Sequence, residues 1–64
     1  MDSAHYYLQL DIAGEERFET HASEETAQEA FERYVANGEC FSVALVRHDG
    51  TGNRQIRYWA DERG

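Results

Sequence analysis

The sequence predicts one small α+β domain over residues 1–64, with four antiparallel strands and a single helix packed on one face of the sheet. Three patterns support this ββαββ order: a helical apolar stripe in the middle of the chain, alternating apolar segments on both sides of it, and turn-forming residues between neighbouring segments. A chain of this length buries only about 60% of its unfolded surface, so a sheet covered by one helix is the expected arrangement. If the second segment does not form a strand, the order becomes βαββ.

The helix is the best-marked element and is predicted over residues 23–38. Ser23 can cap its first turn, where Glu24 and Glu25 also suit the helix dipole, and Gly38 supplies the left-handed residue that ends it. The apolar residues recur at a period of 3.6 and form one stripe toward the core. This stripe consists of Ala27, Ala30, Phe31, Tyr34 and Val35.

The segment before the helix predicts a hairpin. Residues 5–13 alternate between apolar and polar side chains, as a half-buried strand does, and Gly14-Glu15 marks a turn. Residues 16–21 then form a short second strand with Phe18 pointing inward, although three of the first four residues are charged. The core side of the first strand carries Tyr6, Leu8, Leu10 and Ile12.

The segment after the helix predicts a second hairpin. Residues 39–48 and 54–60 alternate as strands, and residues 49–53 between them are rich in types that tolerate a turn. The residues expected to face the core are Phe41, Val43, Leu45, Ile56 and Tyr58, and those expected on the opposite face are Ser42, Ala44, Val46, Arg57 and Trp59.

Negative charge is concentrated in one part of the chain. The net charge is −7, and residues 11–32 carry eight acids with a single base, Arg17. From Arg33 onward five arginines slightly outnumber four acids. A surface of this sign repels nucleic acid and attracts a basic protein. The acids predicted to bind such a partner are Asp11, Glu15, Glu16, Glu19, Glu24, Glu25, Glu29 and Glu32.

The helix gives part of this charge a regular spacing. Glu25, Glu29 and Glu32 recur at i, i+4 and i+7, so they share the face opposite the apolar stripe. Carboxylates at such intervals approximate the phosphates along a nucleic-acid strand. The pattern therefore favours an inhibitor that presents a DNA-like surface to a nucleic-acid-binding protein over an ordinary solvated helix.

The reactive residue types form no catalytic or metal-binding pattern. His5, His21 and His48 lie at the ends of separate predicted elements, without the spacing of metal ligands. Cys40 and His48 lie at opposite ends of one predicted strand, about 26 Å apart at about 3.3 Å per residue, too far to act as nucleophile and base. We expect no enzyme activity, no catalytic residue, no metal and no cofactor.

The first residues and the single cysteine indicate a compartment. Cys40 has no partner for an internal disulfide, which is consistent with a reducing environment. Residues 1–4 lack the basic and apolar regions of a signal peptide. The expected location is the cytoplasm.

An apolar sheet face predicts an alternative function. Tyr7, Arg57 and Trp59 are expected on the face away from the helix, beside Ala44 and Val46. A face of this kind favours a homodimer packed sheet to sheet, or an antitoxin-like adaptor that binds its partner through these aromatic residues. The chain is accordingly expected to be a monomer or a homodimer.

In overall character the chain resembles the small, acidic, phage-encoded anti-CRISPR proteins, in particular those directed against type I-C systems. The features that carry the resemblance are 64 residues, strong acidity, no cysteine pair and the single helix that starts Ser23-Glu24-Glu25-Thr26-Ala27-Gln28-Glu29 on a small sheet. The resemblance implies a DNA mimic that occupies the basic DNA-entry channel of the Cascade surveillance complex in the host cytoplasm. The five arginines from Arg33 onward depart from a uniformly acidic mimic.

Overall fold

A computed structural model describes residues 4–61 and has the order ββαββ. The strands are β1 (His5–Ile12), β2 (Glu15–His21), β3 (Ser42–Asp49) and β4 (Gly52–Ala60), and the helix α1 spans Glu24–Asn37. The strands form one antiparallel sheet in the order β2-β1-β3-β4, with α1 across one face. The α+β class, the four strands and the single helix are thus confirmed. Within residues 4–61, no helix has the length and apolar character needed to cross a membrane.

The helix ends are set by the predicted caps. The Ser23 hydroxyl accepts a hydrogen bond from the Thr26 amide at 3.3 Å, which satisfies one of the free donors of the first turn. Gly38 ends the helix with φ +71°, a left-handed conformation that glycine adopts without steric cost. Ala27, Ala30 and Phe31 are buried by the sheet. The apolar stripe predicted for the helix is therefore confirmed.

The core lies between α1 and the two central strands. Leu8 and Leu10 of β1 pair with Leu45 and Val43 of β3, and all four lie beneath the helix. Cys40 is buried in the same cluster, and burial, ahead of the nearby Glu39 and Asp11 charges, raises the pKa of its thiol. Partly buried side chains that close the edges of the core are Tyr6, Ile12, Tyr34, Val35 and Trp59.

The first hairpin forms, with its turn at Ala13-Gly14, one residue earlier than predicted, but the prediction that Phe18 points inward is wrong. Phe18 pairs with Gln9, on the face away from the helix, and its side chain is 59% exposed. Its neighbour Glu19 takes the inward position opposite Leu8. A carboxylate is tolerated there because the Tyr34 hydroxyl donates to it at 2.7 Å and His21 lies at 2.6 Å.

The predicted facing of the last strand is also wrong, and a β-bulge explains why. From Asp49↔Gly52 to Val46↔Gln55 the pairing follows the tight turn, which would put Ile56 and Tyr58 under the helix. The register shifts by one residue there, so Ile56 has no partner and Leu45 pairs with Arg57. This single residue reverses the facing of residues 57–60. Tyr58 is therefore 59% exposed on the outer face, whereas Trp59 packs against the core.

Phe41 likewise is not a core residue. It precedes β3, and its backbone bridges two elements: its amide donates to Asp11, and its carbonyl accepts from Asp61, both at 2.7 Å. With the backbone held in this way, its side chain is 49% exposed. The predicted strand start at residue 39 is accordingly too early by three residues.

Candidate functional site

The outer face of α1 carries exposed carboxylates. Glu25, Glu29 and Glu32 lie within about 60° of one another around the helix and span about 10 Å along its axis. All three, and Glu24 in the first turn, are exposed. Glu25, Glu29 and Glu32 are about 4.5–6 Å apart along the helix axis, somewhat wider than the spacing of about 3.4 Å between charges along one strand of DNA. We call these four residues the acidic helix face.

Few cations neutralise this face. Arg57 Nη1 lies 3.8 Å from Glu32, but the two side chains are 42% and 70% exposed, so the ion pair is weak. Arg33, four residues after Glu29 on the helix, forms no ion pair with this face among the residues that the structure describes. Within residues 4–61, no hydrogen bond or ion pair involves the carboxylates of Glu24, Glu25 or Glu29. The charge of this face is thus available to a partner.

The four other predicted binding acids do not extend the acidic helix face. Asp11 and Glu16 are cross-strand neighbours on β1 and β2, on the sheet face away from the helix. The Gln9 side chain donates a hydrogen bond to Glu16 there at 2.7 Å. Glu15, at the start of β2, forms an ion pair with Arg17 at 3.2 Å. The structure therefore separates the eight acids into groups on different surfaces.

Glu19 is a structural carboxylate between the sheet and the helix. Burial by itself raises its pKa, but hydrogen bonds from Tyr34 and His21 outweigh this effect and leave the pKa below its ordinary value. The same bond to Glu19, followed by burial, raises the pKa of the Tyr34 hydroxyl. Glu19 thus links β2 to α1, and this contact leaves little of its charge for a partner.

The three histidines and the cysteine do not gather into one site within residues 4–61. His21 is bound to Glu19, His48 is hydrogen-bonded to Asn53 at 2.5 Å, and Cys40 is buried in the core. His5 and His48 are neighbours across β1 and β3, but among the described residues no third metal-binding side chain joins them. In the part of the chain that the structure describes, no three metal-binding side chains are gathered together.

The second predicted surface does not form as expected. Tyr7 lies on the sheet face away from the helix, but Arg57 and Trp59 lie on the helix side, so the three residues do not form one patch. Arg57 stacks over the Phe31 ring at 4.3 Å and donates to Gln28 at 2.6 Å. These contacts hold Arg57 against α1 and explain its inward orientation.

A different set of residues occupies the outer sheet face. We call this surface the open face; at its centre Tyr7 lies beside Phe18, with ring centroids 6.0 Å apart, and Tyr58 lies across Ala44. Sequence periodicity missed Phe18 and Tyr58 because each was assigned to the core as a large apolar residue in an alternating segment. The central residues of the open face are Tyr7, Gln9, Phe18, Ala44, Val46, Gln55 and Tyr58.

Comparison with protein families, with characterised proteins and with solved structures finds no match to this chain. Its function is therefore inferred from its own residues and their arrangement.

Proposed function

We propose that this protein is a non-enzymatic inhibitor that binds, through its acidic helix face, to a basic nucleic-acid-binding site on another protein. The observation that carries the proposal is the exposed row of Glu25, Glu29 and Glu32 on one rigid helix, largely without cations of its own. A site lined by arginine and lysine would meet there a spacing of negative charge similar to that of phosphates.

The positions of the arginines support this proposal. Arg17 is paired with Glu15, and Arg47 lies opposite Arg54 on β3 and β4, away from the outer surface of α1. Within residues 4–61, Arg57 is the one arginine that forms an ion pair with the acidic helix face, and it does so at one end, beside Glu32. Among the described residues, the ion pairs of the arginines therefore leave Glu24, Glu25 and Glu29 unpaired.

The resemblance to anti-CRISPR proteins supplies the first partner to test, the type I-C Cascade complex. The experiment measures the binding of a labelled target duplex to purified Cascade while this protein is added at 0 to about 10 µM, a range suited to a charge-steered interface. The expected result is progressive loss of DNA binding. Undiminished DNA binding at the highest concentration would rule out Cascade as the partner.

Two variants with the same net charge test whether the helix supplies the binding surface. The first is Glu25→Gln/Glu29→Gln/Glu32→Gln, and the matched control is Glu15→Gln/Glu16→Gln/Glu39→Gln, which removes three exposed acids elsewhere. If each interfacial carboxylate contributes about 1 kcal/mol, the helix variant loses about 100-fold in inhibition, and the control loses less than about threefold. Equal losses in both variants would show that net charge, and not the acidic helix face, inhibits.

The salt dependence provides a further test. The Debye length falls from about 30 Å at 0.01 M to about 8 Å at 0.15 M, so an interface between opposite charges weakens over this range. The apparent affinity of the wild-type protein should fall at least about tenfold, mainly through slower association. An affinity that does not change with salt would contradict charge-driven binding.

A further inference from the structure

We propose that the open face is a homodimer interface, on which a second copy of this chain packs with its strands antiparallel to the first. The proposal is independent of the acidic helix face, which lies on the other side of the sheet. It rests on the exposure of the aromatic residues, on the shape of the face and on the distribution of charge along it.

The open face exposes aromatic residues that the fold does not cover. Phe18 and Tyr58 are each 59% exposed, and Tyr7 is partly exposed between them. They lie around Ala44 and Val46, which are nearly buried in the middle of the sheet. An apolar surface of this kind, on a chain with a small core, is typical of an interface.

The face has relief that a second copy can match. Ala44 is the smallest side chain in its row, between Gln9 and Tyr58, and it forms part of a hollow of about 440 Å³. Two cross-strand rows cross the centre of the face, one through Tyr7 and Val46 and one through Gln9 and Ala44. A two-fold axis that lies between the two sheets, perpendicular to the strands, places each of these rows of one copy over the other row of its partner. It therefore brings the partner's Val46 over Ala44, and the partner's Tyr7 over Gln9.

The carboxylates select this orientation. Asp11 and Glu16 lie at one end of the open face, and His5 and His48 lie at the other, about 20 Å away along the strands. With antiparallel strands, the carboxylate end of each copy faces the histidine end of the other. With parallel strands, the four carboxylates of the two copies would meet and repel one another.

The dimensions indicate a weak dimer. Four strands about 4.8 Å apart, over about seven residues, form a face of about 450 Å², so the two copies together bury on the order of 1,000 Å². This area is at the lower limit of specific interfaces, and the two chains also repel each other through their net charges of −7. We expect a dissociation constant of about 10–100 µM.

Sedimentation equilibrium between about 5 and 500 µM, a range that brackets this constant, tests the proposal. The apparent mass of the wild-type chain should rise from 7.4 kDa toward twice that value. Phe18→Glu and Tyr58→Glu should each weaken dimerisation by at least about 30-fold, because each places a carboxylate in the contact. A wild-type chain that remains monomeric at the highest concentration would overturn the proposal.

Phe41→Glu is the matched control, because Phe41 is 49% exposed but lies outside the open face. It should leave dimerisation unchanged, and a loss as large as that of Phe18→Glu would refute the assignment of the interface. Circular dichroism of each variant shows whether it remains folded. A Phe18→Glu variant that unfolds is replaced by Gln55→Glu, which changes an already polar exposed position on the open face and should weaken dimerisation in the same way.

A charge reversal tests the orientation. His5→Glu places a carboxylate against the partner's acidic end and should weaken dimerisation about tenfold. Adding Asp11→Asn and Glu16→Gln to the same chain should restore it, and the Asn side chain still accepts from the Gly14 amide as Asp11 does. Failure of this restoration would overturn the antiparallel arrangement. Added salt should strengthen the dimer by screening the net repulsion, the opposite of its effect on the acidic helix face.

Discussion

The two faces of the sheet differ in what covers them. On the helix side, Leu8, Val43 and Leu45 are completely buried, and two charged residues that enter this layer, Glu19 and Arg57, have hydrogen-bond partners. On the open face, Phe18 and Tyr58 remain more than half exposed although they are among the largest side chains of the chain.

This difference separates stability from recognition. Burial under the helix supplies most of the hydrophobic free energy, since apolar area stabilises only when it leaves water. Aromatic residues on the open face contribute little to the monomer and are free to serve an interface. Substitutions of residues buried under the helix should therefore change the free energy of unfolding more than substitutions of Phe18 or Tyr58 on the open face.

The largest expected effect comes from a pair of phenylalanines. Phe31 is 2% exposed under the helix, so Phe31→Ala should cost about 3–4 kcal/mol and leave so small a domain mostly unfolded. Phe18→Ala, which loses the edge-to-face contact with Tyr7, should cost only about 1 kcal/mol. Urea denaturation followed by circular dichroism, at a concentration below dimerisation, measures both. Equal costs would show that the two faces do not differ as described.

The arginines of β4 give the next largest difference. Arg57→Ala removes the stacking on Phe31 and the hydrogen bond to Gln28, and should cost about 1–1.5 kcal/mol after allowance for its partial exposure. Arg54→Ala is the matched control and should be neutral or slightly stabilising, because Arg54 lies directly opposite Arg47. Arg57→Lys should recover only part of the loss, since lysine lacks the planar group. A loss for Arg54→Ala as large as that for Arg57→Ala would contradict these roles.

The bond between Tyr34 and Glu19 should make stability depend on pH. Tyr34→Phe removes a hydrogen bond to a partly exposed carboxylate and should cost about 1 kcal/mol at pH 7. The folded state lowers the pKa of Glu19 below 4.5, so this stabilisation is present above pH 4.5 and is lost as the pH falls through the lowered pKa. Urea denaturation of both proteins at pH 7, 5 and 4 should therefore show a shrinking difference. A difference that grows toward acid would have the wrong sign.

The smallest expected effect is a gain at a turn that belongs to neither face. Ala13 and Gly14 close the first hairpin with φ of +54° and +85°, so an alanine holds a left-handed conformation that favours asparagine or glycine. Ala13→Asn should stabilise the domain by about 0.5 kcal/mol, and raise the melting temperature by a few degrees. Gly14→Ala should have the opposite effect. A destabilising Ala13→Asn would mean that this turn does not limit stability.

Most of the fold could be predicted from the sequence because local signals agree with one another. The helix has its cap, its apolar stripe and its terminal glycine within one segment, so its position depends on nothing distant. The first strand alternates without exception. The β2 strand was predicted with the wrong inward residue, since only the pairing of Glu19 with Tyr34, fifteen positions away, allows a carboxylate beneath the helix.

The candidate site was predictable only in part for a related reason. Helical periodicity alone brings Glu25, Glu29 and Glu32 to one surface, and the structure has them there. Whether Asp11 and Glu16 join them depends on the face of a strand, which is a tertiary property. Tyr7, Ala44 and Val46 lie on the open face as the sequence predicts, but Tyr58 does not follow the prediction, because a bulge has no clear sequence signal and this one inverts which of Tyr58 and Trp59 is covered.

The unpaired residue of that bulge has a consequence for how the chain tolerates changes in length. Ile56 separates two stretches of regular pairing, one anchored by the turn at residues 50–51 and one by Arg57 and Trp59. If Ile56 were deleted, Gln55 would be followed directly by Arg57, and both stretches could keep their present partners on β3. A variant without Ile56 should keep every other cross-strand neighbour, whereas a variant without Arg54 should keep the turn but reverse the facing of Gln55 and Ile56.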